Sequence, residues 1–381
     1  MPTVVISPFN VVNFLEGGGH FWVYMQYAHG LRQLGCDVYW LENFRSSGDA
    51  KQDAAVLALY ATRMEAYGLG GKHILYISRG QPGAPGRPTE YAGMTQSEAE
   101  AIFEQADLLL NFHYAMDPAL LARFRRTALV DIDPGLLQFW ISRRQLVVHQ
   151  HDYYFTTGET VGTPDALFPD CGLQWIHIRP AVCLDRWPYV YDPNREAFTT
   201  VSNWNTVDWI RDGAEIYDNT KRAAFLPFAE LPRMTNQALE LALYLGDGDA
   251  EDRNALERQG WRVRHSLEVA RTPEMYQAYI QGSRGEFSCV KPSCIKFQNA
   301  WISDRTLCYL ASGKPVVMQH TGPSSFLPNG EGMFRFATLR EAADALATIN
   351  ADYERHSRSA REIAETYFDA RQIVERILSV A

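Results

Sequence analysis

The chain has 381 residues, 46% of them apolar and 21% charged, with a formal net charge of −9. Those proportions describe an ordinary folded chain of one to three domains, two being the expected number. The acidic balance excludes a broad phosphate-tracking surface, so nucleic acid is not an expected partner. There is no run of 18 apolar residues, and hence no expected membrane span. Pro2 to Ile6 is strand-like and lacks a basic flank, so no signal peptide is expected and a cytoplasmic location follows by default. The six cysteines (Cys36, Cys171, Cys183, Cys289, Cys294, Cys308) are scattered, with no C-x-x-C pair and no zinc spacing, so no metal is expected.

Thr3-Val4-Val5-Ile6 predicts a first strand, and a loop follows it to Gly17-Gly18-Gly19. Phe21, Tyr24, Met25, Ala28, Leu31 and Leu34 recur at helical spacing, Gly35 stops that helix, and Val38-Tyr39-Trp40-Leu41 is the next strand. Two parallel strands joined by a helix point to a doubly wound sheet. The three glycines let backbone N–H groups approach a ligand at the helix N-terminus, the alternative being a tight strand-to-helix turn. A dinucleotide fingerprint is a weaker reading. Trp22 stands where close packing needs a small residue, although Glu42 lies where a ribose-binding acid would be. Arg79 to Tyr91, rich in Gly and Pro, reads as a loop, and Ala99 to Phe103 as part of a helix. Ala106 to Phe112 predicts a strand ending in His113, and Thr127 to Ile132 one ending at Asp133. His149 and His151 fall on one side of a strand, but two ligands make a poor metal site.

Pro180 to Glu196 has no periodicity and three prolines, which places the domain junction there. Expected boundaries are 1–185, 186–360 and a C-terminal helix over 361–381. In the second half, Phe198 to Val201 opens a new sheet, and Leu241 to Leu245 is a strand with Gly246 at its carboxyl end. Glu251 to Gln259 predicts a helix stopped by Gly260, followed by the strand Trp261 to Val263, and Thr338-x-x-Glu341 is a capping box. Ser303 to Gly322 is the most telling stretch. Leu307, Leu310 and Ala311 share a helical face, Gly313 stops the helix, and Pro315-Val316-Val317-Met318 is a buried strand leading to Thr321-Gly322. Asp304 and Arg305 open that helix. An acid there can accept hydrogen bonds from vicinal hydroxyls, and an arginine at a helix N-terminus can hold phosphate. The pattern suits a nucleotide-linked sugar.

Two α/β sheets, a glycine loop after the first strand and an acid-bearing helix late in the second half together resemble the GT-B glycosyltransferases. The likeness is carried by Gly285-Glu286-Phe287-Ser288, Lys291, Trp301-Ile302-Ser303-Asp304-Arg305 and Ala311 to Val317, with Gly17-Gly18-Gly19-His20 and Gly30 to Gly35 at the other end. It implies an α/β fold of two Rossmann-like doubly wound domains facing across a cleft, the first taking the acceptor and the second the nucleotide-sugar. The chain departs from the retaining pattern of two glutamates with seven residues between them, since Asp304 stands alone.

The resemblance implies transfer of a hexosyl group from a nucleoside diphosphate sugar, UDP being the expected nucleotide, to a hydroxyl or amine on a small molecule or glycan. No separate cofactor is implied. His20 is the candidate base, oriented by Asp133 or Asp117, and His113 is a candidate contact to the donor sugar. Lys291 and Arg305 would neutralise the leaving diphosphate without a divalent metal, Asp304 would bind hydroxyls, and Gly246, Thr321 and Gly322 would lie near phosphate. Gly17, Gly18 and Gly19 fall on the acceptor side. A sugar-nucleotide epimerase and a non-catalytic sugar-nucleotide binder are the alternatives.

Overall fold

Short apolar runs build two separate, mainly parallel sheets, as expected of strands covered on both faces by helices. The computed structural model describes residues 1–78, 88–205, 209–213 and 215–381. The chain divides into two units. The first holds Met1–Gly158, Pro169–Ile178 and Ala370–Ala381, and the second Glu159–Phe168 and Arg179–Asp369.

The first unit begins with β1 (Thr3–Ser7), α1 (Gly18–Gln33), β2 (Asp37–Phe44), α2 (Ala50–Ala66), β3 (His73–Ser78) and β4 (Pro88–Ala92). It continues with α3 (Gln96–Gln105), β5 (Leu108–Asn111), α4 (Pro118–Leu121), β6 (Thr127–Asp131), α5 (Leu136–Ser142), β7 (Tyr153–Thr156) and β8 (Trp175–His177). The strand order is β4-β3-β2-β1-β5-β6-β7-β8, and only the β3–β4 pair is antiparallel. The order runs outward from β1 and restarts at β5 on its other side. Ser7 pairs with Asn111, so β1 and β5 end level at the point of reversal. Open α/β sheets bind ligands at such a point.

The expected loop over Arg79 to Tyr91 is corrected in part. Pro88–Ala92 forms the edge strand β4, with Glu90 and Tyr91 opposite Ile77 and Tyr76. The pairing with β3 is a tertiary contact that a Gly- and Pro-rich composition hides. The rest of that expected loop, residues 79–87, lies outside the described residues.

The second unit runs β9 (Ala197–Asn203), β10 (Trp209–Asp212), β11 (Glu215–Asp218), α6 (Lys221–Phe225), β12 (Ala238–Tyr244), α7 (Ala250–Gln259) and β13 (Arg262–His265). Then come α8 (Ser266–Ala270), α9 (Pro273–Gln281), β14 (Gly285–Ser288), α10 (Pro292–Phe297), α11 (Asp304–Ala311), β15 (Val316–Gln319), β16 (Met333–Phe336), α12 (Leu339–Ala351) and α13 (Tyr353–Tyr367). The sheet order β13-β12-β9-β14-β15-β16 is parallel throughout, with its reversal between β9 and β14. β10 and β11 form a separate antiparallel pair. Gly260 and Gly313 end α7 and α11 with φ of 105° and 70°, and the Thr338–Glu341 capping box opens α12. The core is aromatic: Phe287 stacks on Phe336 with ring centroids 5.3 Å apart, and Trp261 packs on Phe287. The last helix, α14 (Ala370–Val380), belongs to the first unit and buries Ile373, Val374 and Ile377, packing on α1. Among the described residues no helix is long and apolar enough to cross a membrane.

Glu42 and Asp131 are deeply buried carboxyl groups of the first unit. Glu42 on β2 accepts hydrogen bonds from the Val12 amide (2.8 Å) and the Trp40 indole (3.1 Å), and burial pushes its pKa up to about 8 against both. Asp131 at the end of β6 accepts from Gln138 and Thr156, each at 2.8 Å, and burial pushes its pKa up to about 7. A carboxyl whose folded pKa is raised stabilises the fold below its unfolded pKa, and that contribution is lost as pH rises through the folded value. Urea denaturation is therefore expected to show stability falling between pH 4.5 and about 8, with a shallower fall in Glu42→Gln. An identical pH slope in wild type and variant would remove Glu42 from this account.

Candidate functional site

The switch point of the second unit is organised around a buried acid. Glu286 on β14 is wholly buried, and a carboxylate there needs a cation. Arg305, in the first turn of α11, supplies it: Nε donates to Glu286 Oε1 at 2.7 Å, and the side chain is only 11% exposed. The same guanidinium donates through Nη1 to the Val201 carbonyl on β9 (3.0 Å) and through Nη2 to Ser288 Oγ (2.5 Å). One arginine thus ties α11 to the two central strands at their carboxyl ends.

A second cation enters from α6. Lys221 Nζ donates to the Cys289 carbonyl, just past β14, at 2.6 Å. Burial strips the Lys221 ammonium of water and pushes its pKa down to about 7, with Arg305 and Lys291 adding repulsion. Lys291 itself is the N-cap of α10. Asn219, fully buried beside Lys221, accepts from the Ser293 amide at 2.8 Å and so fixes the start of α10. Three cationic side chains converge where the sheet reverses.

The other expected donor-side residues lie on a helix start and on loops that follow strands of the same sheet. Asp304 is the first residue of α11 and is half-buried. Thr321, after β15, is fully buried and donates its hydroxyl to the Trp301 carbonyl at 2.8 Å, so it positions the 299–303 segment and does not reach outward. Gly322 lies against that region's backbone: with φ at 125°, an added Cβ would sit 2.6 Å from the Gln298 carbonyl oxygen, a close approach only glycine allows. The Gly246 amide is taken by the Asp249 carboxylate at 2.8 Å. A groove of about 830 Å³ lies at the opposite, amino ends of β9 and β12, lined by Arg195, Arg284 and Asn350 among others. Its polar groups bond one another, as Arg284 does Asn350 at 2.8 Å.

In the first unit the glycine loop leads straight into α1. Gly17 is its N-cap, Gly18 and Gly19 its first residues, and no side chain among the described residues caps the helix. His20 follows, and its Nε2 lies 2.6 Å from the Phe9 carbonyl. A carbonyl only accepts, so Nε2 carries the hydrogen and Nδ1 holds the lone pair. Burial lowers the His20 pKa, which keeps the ring neutral at physiological pH. His113, after β5, packs its ring against Phe9 (centroids 5.3 Å), and burial pushes its pKa down to about 4. Phe9 therefore joins the two histidines at the β1–β5 reversal. The Asp133 carboxylate accepts from the Tyr114 hydroxyl at 3.1 Å, and the His20 ring is held by the Phe9 carbonyl. Asp117 caps α4 through the Ala119 amide.

Glu42 is enclosed by Val12 and Trp40, which closes the ribose-acid reading of that position. His151 is a satisfied buried histidine, donating through Nδ1 to the His149 carbonyl (2.8 Å) and accepting at Nε2 from Asn111 (3.0 Å). Among the described residues no group of three or more His, Cys, Asp or Glu is placed to hold a metal ion.

No protein-family model and no curated protein matches the sequence. Solved structures do match over the whole chain. An alpha-glucosyltransferase in complex with UDP aligns with a TM-score of 0.61 at 11% identity, covering 100% of this chain and 99% of that one. Sucrose-phosphate synthase from Thermosynechococcus elongatus gives 0.58 at 9% identity, covering 100% and 98%. Anabaena HepE in complex with UDP and glucose gives 0.54 at 10% identity, covering both chains completely. The chain has the GT-B fold. Its two Rossmann-like sheets are the two halves of that fold, and each has its own switch point.

Lys221 was not visible in the sequence, because 68 residues separate it from the carbonyl it bonds. Glu286 left a faint signal, a single acid inside a short buried run. An anion beside Lys221 favours its ammonium form, so binding takes up a proton and weakens as pH rises above about 7. Calorimetric titration of inorganic pyrophosphate at pH 8, in buffers of different ionisation heat, is expected to show that uptake. Lys221→Met is expected to abolish it and weaken binding about tenfold or more. Proton-neutral binding would take Lys221 out of the site.

Proposed function

We propose that this chain is a glycosyltransferase that moves a hexosyl group from a UDP-sugar to a hydroxyl or amine acceptor. The observation that carries the reading is the convergence of Lys221, Lys291 and Arg305 at the switch point of one half of a GT-B fold. UDP is chosen because the alpha-glucosyltransferase and HepE to which the chain is similar hold it.

The chemistry divides between the two halves. Cleavage of the bond between the anomeric carbon and the diphosphate oxygen leaves added negative charge on the diphosphate. The three cations stabilise that charge from fixed positions, with little reorganisation as it develops. Glu286 keeps Arg305 extended and aimed. Asp304, at the head of α11, accepts hydrogen bonds from ribose or sugar hydroxyls. In the acceptor half, His20 Nδ1 takes the proton of the attacking hydroxyl as its oxygen bonds the anomeric carbon. The Phe9 carbonyl holds the tautomer that puts the lone pair on Nδ1.

Wild type is expected to bind UDP in calorimetric titration, and Asp304→Ala to bind it about tenfold or more weakly. No UDP binding, or an Asp304 variant indistinguishable from wild type, refutes the donor assignment. Product formed from nucleotide-sugar alone would point instead to an epimerase. His20→Ala should lower kcat by about 10²–10⁴ while UDP affinity holds. Because burial lowers the His20 pKa, the acid limb of the wild-type pH–rate profile should lie below pH 6.5. An unaltered rate in the variant ends the base role.

A further inference from the structure

Two phenylalanines flank His20 with their rings fixed and yet open to solvent. Phe9 is 51% exposed and Phe14 39% exposed. A lone exposed phenylalanine is ordinary, but these two are held in place. The Phe9 carbonyl bonds His20 Nε2 and its ring packs on His113. The Phe14 backbone is pinned at both ends, its amide donating to the Val11 carbonyl (3.2 Å) and its carbonyl accepting from the Gly17 amide (3.0 Å). Its ring lies beside that of His20, with centroids 6.0 Å apart. It also fills the space over Gly17, where an added Cβ would stand 2.4 Å from Phe14 Cδ1 and Cε1. Glycine at 17 is thus the seat of the Phe14 ring, and any larger residue would displace it.

Rings oriented before a ligand arrives lose little freedom on binding one. Apolar faces beside a single polar atom are the composition of a small-molecule subsite. We infer that Phe9 and Phe14 form an acceptor platform, and that the acceptor carries a six-membered ring, pyranose or aryl, whose apolar face lies on these phenylalanines while a hydroxyl at its edge meets His20 Nδ1. The inference rests on the reading of His20 as the base. It excludes acyclic polyols and aliphatic amines as preferred acceptors, since they have no flat face to stack.

Saturation-transfer NMR and calorimetry test the platform without turnover. The probes are phenyl β-glucoside, methyl β-glucoside, phenol and glycerol, applied to wild type, Phe9→Ala, Phe14→Ala, Phe14→Leu and Gly17→Ala, each shown by its thermal melt to be folded. Ring-bearing probes are expected to bind wild type and glycerol not to. Phe9→Ala and Phe14→Ala should each weaken the ring probes about three- to tenfold. Phe14→Leu, which restores bulk without a π face, should recover little, and Gly17→Ala should behave like Phe14→Ala. Binding of methyl glucoside without phenol marks a pyranose, and binding of phenol without methyl glucoside marks an aryl ring. Ring probes that bind both alanine variants as well as wild type, or that do not bind wild type at all, overturn the platform. UDP affinity, measured on the same samples, reports on the transferase reading separately, so the two failures are distinct.

Discussion

The second unit depends on one buried ion pair. Glu286 lies in the middle of a parallel sheet with no water to solvate it, and an unpaired carboxylate there would cost several kcal/mol. Arg305 answers that demand, and its fork also reaches β9 and Ser288. The start of α11, and with it Asp304, is therefore set by electrostatics inside the sheet. The pair also fixes the Arg305 guanidinium near a spot to which Lys221 and Lys291 bring positive charge. Burial lowers the Lys221 pKa first, and repulsion from Arg305 and Lys291 adds to it.

The first unit shows the same architecture with a different chemistry. Among the described residues its reversal between β1 and β5 carries no cation cluster like that of the second unit. It carries two histidines kept neutral by burial, linked through Phe9. One half of the fold thus gathers positive charge at its reversal, and the other holds neutral imidazoles there. The glycine loop takes part through shape: Gly17 gives room to an aromatic ring that no other residue would allow.

Much of the scaffold was legible from spacing. The β1–α1–β2 unit, β5, β6, and the run from α11 through Gly313 to β15 follow from apolar periodicity and glycine stops, because those signals are local. Pairings remote in sequence were not legible. β4 hid in a Gly- and Pro-rich stretch because its partner is another strand. The bond from the Tyr114 hydroxyl to Asp133 joins residues 19 apart and left no local signal. Arg305 read as a ligand contact and proved also to be the counter-ion of Glu286.

By itself the sequence determined that two α/β sheets would form, where their strands end, and which loops carry acids, cations and histidines, since helix and strand periods and turn residues act over a few positions. Tertiary structure alone decided which strand ends meet at each reversal, that Lys221 stands beside Cys289, which nitrogen of His20 keeps its lone pair, and that Phe14 rests on Gly17. Those outcomes depend on the burial and close approach of groups brought together only by folding, and solvation, tautomer and steric room are properties of that surrounding and not of any one residue.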